Sequence, residues 1–108
     1  MKVKLLVCAF SVSMIRRDGK VMIEEVSEKE FLNLLGNDFV SAVGHEITAR
    51  ILSMRWKKEI PFSRRNVSTQ EGEIFVAVPQ IRFEEAREFS EKEVLDASFR
   101  FFIVKEVK

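Results

Sequence analysis

Ser41-Ala-Val-Gly-His-Glu-Ile-Thr-Ala-Arg-Ile-Leu-Ser-Met-Arg-Trp56 is the stretch around which the rest of the chain can be arranged. Ile47, Ile51 and Met54 recur at helical spacing with Leu52 beside them, which predicts an amphipathic helix. Lys57, Lys58 and Pro61 bring it to an end. The sole histidine, His45, follows Gly44 and falls in the first turn of that helix. Backbone N–H groups and the helix dipole favour an anion there, and Gly44 would let a ligand or another backbone come close. Residue chemistry alone puts a surface or capping histidine ahead of a catalytic one.

Upstream, Val3, Leu5 and Val7 alternate with Lys2, Lys4 and Leu6, so residues 2–8 read as a strand buried on at least one face. Residues 9–15 are small and hydroxyl-rich, a loop or single helical turn. Asp18-Gly19 signals a turn and Lys20 to Val26 a second strand. Ser27 with Glu30 is a capping box opening a helix on Phe31, Leu34 and Leu35, and Gly36 is its stop. Asn37 to Val43 is then a connection. Downstream, Phe62 to Ser68 and Ile74 to Val78 are expected as a hairpin closed by residues 69–73. Pro79 ends the second of these. A charged loop over residues 80–89 leads to a second capping box, Ser90 and Glu93, opening a short helix to about Asp96. Ser98 to Val107 is a last strand, apolar on both faces around Phe101 to Val104 as an interior strand would be. The expected architecture is α/β (α+β): a single domain, residues 1–108, with a mixed sheet of about five strands and three short helices packed on it.

Composition narrows the chemistry. With 46% apolar and 32% charged residues the chain is globular, and a net charge of +1 excludes a polycationic nucleic-acid binder. One cysteine, Cys8, excludes an internal disulfide and a cysteine-based zinc site, and one histidine excludes a histidine-rich metal site. No apolar run reaches the ~20 residues of a membrane span, and the short apolar start alternates like a strand, so a cytoplasmic protein is expected. Phosphate-binding glycine motifs and the Gly-x-Ser-x-Gly elbow are absent from the sequence. Cys8 lies in a strand-like run and reads as a buried, inert thiol.

Three groups remain. Ser11 and Ser13 follow the first strand; Gly44-His45 opens a helix; Arg64, Arg65 and Arg82 stand with Glu85 close behind. Arg50, Arg55, Lys57, Lys58, Arg64 and Arg65 face only Glu59 in the run from Arg50 to Arg65. That run is either a solvated helix end or a local patch for a phosphate-bearing ligand. A phosphodiester broken by these residues would be attacked by RNA's own 2′-hydroxyl. The protein would align the phosphate, neutralise charge and protonate the leaving oxygen, without metal.

Several segments together carry a resemblance. Ala9-Phe10-Ser11-Val12-Ser13-Met14-Ile15, Ser41-Ala42-Val43-Gly44-His45-Glu46-Ile47-Thr48-Ala49, and Arg82-Phe83-Glu84-Glu85 with Ser90-Glu91-Lys92-Glu93 are similar, in order, to segments of the viral ring nucleases. These are the type III anti-CRISPR proteins first met as small proteins of archaeal viruses. The resemblance implies a two-fold dimer enclosing cyclic tetraadenylate, the second messenger of type III CRISPR defence, and a host-cytoplasmic location. It implies a phosphodiesterase that cleaves this ring, with no cofactor or metal, to linear di-adenylates ending in a 2′,3′-cyclic phosphate. His45 matches the family's general acid and Ser11 a ligand-contacting serine. Arg82 and Glu85 match residues that contact the ligand or order the loop over it. Arg64 falls where the family has Asn-Arg, though Arg65 takes that place after a one-residue shift. The family's asparagines are replaced by Cys8 and Ser13, its glutamine by Val78, and its Gly-Lys by Ala86-Arg87. Two other readings stay open: a sponge or sensor that binds a cyclic oligoadenylate with little turnover, and an RNA binder using the Arg50–Arg65 run.

Overall fold

The computed structural model describes residues 3–81 and 88–107. In chain order the elements are β1 (Val3–Val7), a 3-10 turn (Val12–Met14), β2 (Val21–Val26), α1 (Glu28–Leu35), β3 (Val40–Ser41), α2 (Glu46–Trp56), β4 (Gly72–Pro79), α3 (Glu91–Asp96) and β5 (Phe99–Glu106). The five strands form one sheet in the order β2-β5-β4-β1-β3. β1 is parallel to both β3 and β4, while β5 is antiparallel to β4 and β2. The carboxyl ends of β1, β3 and β4 therefore share one edge of the sheet. The expected α+β domain with a five-stranded mixed sheet is the observed one.

Local signals set the helices. The Ser27 hydroxyl accepts the Glu30 N–H at 3.1 Å, and Gly36, at φ 64°, donates its N–H to Leu32 at 3.0 Å. Ser90 and Glu93 close both halves of a capping box around α3. α1 and α2 cover one face of the sheet. Phe31, Leu35, Ala49 and Leu52 pack there on Leu6, Phe75, Ala77, Phe101 and Ile103. The rings of Phe31 and Phe75 meet edge-on, 5.4 Å apart. The opposite face carries Leu5, Val7, Ile74, Val76 and Val104, packed against Phe10, Met14 and Val67.

Three expectations are corrected. Residues 62–68 do not form a strand, and β4 has no hairpin partner there. Its two edges are already taken by β1 and β5. Phe62 makes a single parallel bridge to Val43, and Val67 turns under the sheet instead. The stretch read as a plain connection holds β3, whose two residues continue the sheet beyond β1. The apolar stripe of α2 is displaced. Ile47, Thr48, Ala49, Ile51 and Leu52 are buried, whereas Met54 is 41% exposed. The displacement follows from α3, whose Val94 packs on Ile47 and Ile51 and gives α2 a second contact surface besides the sheet.

Gly72, expected in a hairpin turn, is instead the first residue of β4. A Cβ there would collide with the Val3 backbone of the adjoining strand.

Candidate functional site

Parallel strands aim their following loops at one edge of a sheet, where ligands commonly bind. Here that edge carries Cys8 to Ser13 after β1, Ala42 to His45 after β3, and Gln80 and Ile81 after β4. Arg82 and Glu85, both expected to contact ligand, lie outside the described residues.

His45 is the N-cap of α2, one residue before its first turn. Its extended backbone (φ −121°, ψ 118°) lets its carbonyl accept the Ala49 N–H at 3.0 Å. The imidazole does not cap the helix and is exposed to solvent, with no hydrogen-bond partner among the described residues. Cys8 lies near the Gly44-His45 backbone. Burial pushes the Cys8 thiol above its ordinary value, and hydrogen bonds from the Gly44 and His45 backbone work in the other direction. Cys8 is a buried free thiol, as expected of its place in the strand run.

Gly44 has a smaller part than its sequence position suggested. An added Cβ would meet the Arg64 Cγ at 3.7 Å, an ordinary contact, and no described backbone atom crowds it. Its carbonyl matters more, accepting Arg64 Nε–H at 3.2 Å. The guanidinium of Arg64 also lies over the Phe62 ring, 5.9 Å from its centroid. No carboxylate pairs with Arg64 among the described residues. Arg65 differs, being joined to Glu71 at 2.8 Å. Both arginines line an open depression of about 350 Å³ together with Ala42, Gly44 and Asn66. Asn66 was not singled out from the sequence, and nothing but its place after two arginines could have marked it.

Ser11 and Ser13 are exposed on the 3-10 turn, their hydroxyls hydrogen-bonded to each other at 2.7 Å. The Ser11 side chain does not cap the turn, so its hydroxyl is exchangeable. No hydrogen bond joins either serine to His45 or Arg64 among the described residues. The structure thus brings Gly44, Arg64, Arg65 and Asn66 into one depression, places His45 beside it, and sets Ser11 and Ser13 on the neighbouring loop.

The basic run from Arg50 to Arg65 breaks up. Arg55 points inward, pairing with Glu28 at 2.7 Å and donating to the carbonyls of Val94, Leu95 and Ala97. Lys58 donates to the Gly36 carbonyl and the Asn37 side chain. Arg50, Lys57, Arg64 and Arg65 stay exposed, but with Arg55 and Arg65 paired to carboxylates the run does not act as one uniform row of free cations. No group of three or more His, Cys, Asp or Glu residues able to hold a metal occurs among the described residues. Nor is any described helix long and apolar enough to cross a membrane.

Fold and site together define a small α+β protein with, at the carboxyl edge of a mixed sheet, a histidine and an arginine that no carboxylate among the described residues pairs. Residues 5–101 match the family model "STIV B116-like", and the chain belongs to that family. Among solved structures, B116 of Sulfolobus turreted icosahedral virus has a similar fold, with a TM-score of 0.79. The two are 24% identical over 95% of this chain and 98% of that one. A search of curated proteins finds no match. The family is named for a viral protein, which agrees with the viral side of the expectation drawn from the sequence.

Proposed function

We propose that the protein is a ring nuclease that cleaves cyclic tetraadenylate to linear di-adenylates without a metal. The observation that supports this most directly is the meeting of two groups at the Gly44-His45 turn: the solvent-facing imidazole of His45, and the Arg64 guanidinium held on the Gly44 carbonyl with no carboxylate partner among the described residues. In each cleavage the 2′-hydroxyl attacks the adjacent phosphorus and gives up its proton to water. The P–O5′ bond breaks, a 2′,3′-cyclic phosphate forms, and His45 passes its proton to the departing 5′-oxygen. Arg64 offsets the charge gathering on the phosphate oxygens. Ser11 and Ser13 are hydroxyl donors to the ribose-phosphate backbone, and the resemblance adds Arg82 and Glu85 to the set. Two cleavages open the ring into equal halves.

A two-fold dimer belongs to this reading, because a ring of four identical nucleotides presents the same half to each protomer. The sheet face opposite α1 and α2 supports it. That face retains an apolar depression of about 350 Å³ with Phe10, Ile23, Val78 and Phe102 in its walls, and Val12, two residues after Phe10, is 80% exposed. A second copy would cover both.

The second reading is a sponge that holds the ring with little turnover. It is favoured by Cys8 and Ser13, which supply no amide where the ring nucleases have asparagine. Labelled cyclic tetraadenylate incubated with EDTA separates the two. Cleavage by wild type, abolished in His45→Ala, supports the nuclease; tight binding without cleavage by either supports the sponge. No binding at all removes both.

A further inference from the structure

Phe62 is a large apolar side chain left 45% exposed, with the Arg64 guanidinium over its ring at 5.9 Å. The ring is fixed to the sheet, not carried on a free loop. Phe62 bridges Val43 in parallel fashion, Ser63 donates its N–H to the Val43 carbonyl at 3.0 Å, and Ser41 donates to the Pro61 carbonyl at 2.6 Å. The next residue of that strand extension is Gly44, whose carbonyl takes the Arg64 Nε–H. Arg64 is therefore bracketed between a ring and a carbonyl, both tied to the backbone that presents His45.

The contrast with the other oriented arginines gives this bracket its meaning. Arg55, Arg65 and Arg100 are each oriented by a carboxylate, from Glu28, Glu71 and Glu25, which also cancels the charge. An aromatic face orients a guanidinium without cancelling its charge, and a carbonyl does the same. An exposed arginine otherwise disperses over many rotamers, and that freedom must be lost when an anion binds.

We propose that Phe62 is a positioning residue for Arg64: its ring holds the guanidinium at the Gly44 carbonyl in advance of ligand, leaving the full charge for a phosphate. The phosphate-ester substrate rests on the function proposed above; the positioning does not.

The test uses the full chain with Phe62→Leu, which keeps an apolar side chain without a ring face, and Phe62→Trp, which keeps a face. Three quantities are read: the side-chain Nε–H resonance of Arg64 with its hydrogen-exchange rate, the affinity for inorganic pyrophosphate, and kcat and KM for cyclic tetraadenylate. Phe62→Leu should move the Nε–H resonance and speed its exchange. It should weaken pyrophosphate by about threefold to fivefold and lower kcat/KM for cyclic tetraadenylate by a similar factor. Phe62→Trp should restore all of these, at an unchanged melting temperature for both variants. An Arg64 resonance and pyrophosphate affinity that ignore Phe62→Leu overturn the proposal, as does a wild type that binds no pyrophosphate. If wild type leaves cyclic tetraadenylate intact while the resonance and pyrophosphate respond as stated, the nuclease reading fails and the positioning of Arg64 stands.

Discussion

Arg55 offers the sharpest test of how this domain holds together. Its side chain is 12% exposed and forms a two-point pair with Glu28, at 2.7 and 2.9 Å. It also donates to the carbonyls of Val94, Leu95 and Ala97 at 2.7–3.1 Å, and its guanidinium lies over Phe99 at 5.2 Å. One side chain thus joins the start of α1, the end of α2 and the end of α3. Truncating one partner of a buried pair costs about 3–5 kcal/mol. Here Glu28 is 31% exposed and keeps the Trp56 N–H at 2.8 Å, so water and indole recover part of the loss. We expect Arg55→Ala to cost about 2–4 kcal/mol at neutral pH. At roughly 4 °C per kcal/mol for a domain of this size, melting should fall by about 8–16 °C.

The pH dependence has a definite sign. The hydrogen bond from Arg55 is the main cause that holds the Glu28 carboxyl below its ordinary 4.5, against burial and with help from Trp56. A depressed carboxyl stabilises the fold above its unfolded value, and this contribution is lost as pH falls through its folded value. The melting difference between wild type and Arg55→Ala should therefore shrink below about pH 4. Thermal unfolding by circular dichroism from pH 3 to pH 8, with Glu28→Gln and the double variant completing a cycle, measures this. A loss under 3 °C at pH 7, or one that persists undiminished at pH 3, would refute the account.

Other outcomes bear on the site. His45→Ala should lower cleavage of cyclic tetraadenylate by about 10²–10⁴-fold with its affinity nearly unchanged; a variant that still cleaves within about threefold of wild type contradicts His45 as the acid. Arg64→Ala should weaken ligand binding by about tenfold or more. Arg65→Ala should change it by less than about threefold, since Glu71 already holds that charge; equal losses in a filter-binding assay would count against the distinction. Val12→Glu should convert a dimer to a monomer in sedimentation, and a dimer that survives moves the interface elsewhere. Gly72→Ala should leave little soluble protein, because the new methyl collides with Val3; normal yield and melting would show that β1 and β4 can part there.

The elements legible in the sequence are those whose causes lie within a few residues. Ser27 caps through Glu30 and Ser90 through Glu93, three positions on. Gly36 ends α1 because its own φ of 64° suits a residue without a side chain. β1 announces itself by apolar alternation, and β5 by a run that stays apolar on both faces. His45 could be placed at a helix start, since only the local pattern was needed. Its neighbours could not. Arg55, Arg64 and Arg65 look alike along the chain, and their fates depend on contacts 27, 20 and 6 positions away, with Glu28, Gly44 and Glu71. Residues 62–68 carry enough apolar character for a strand, but β4 has no free edge to receive them.

The sequence by itself determined the class, the helices, most of the strands and the residue types from which a site could be built, because capping, periodicity and composition act locally. Tertiary structure alone decided which arginine keeps its charge, which glycine is sterically required and which edge gathers the candidate groups. These are properties of pairing between distant segments. A guanidinium becomes a candidate phosphate ligand, or a buried tie among three helices, only through the acceptor that folding brings to it.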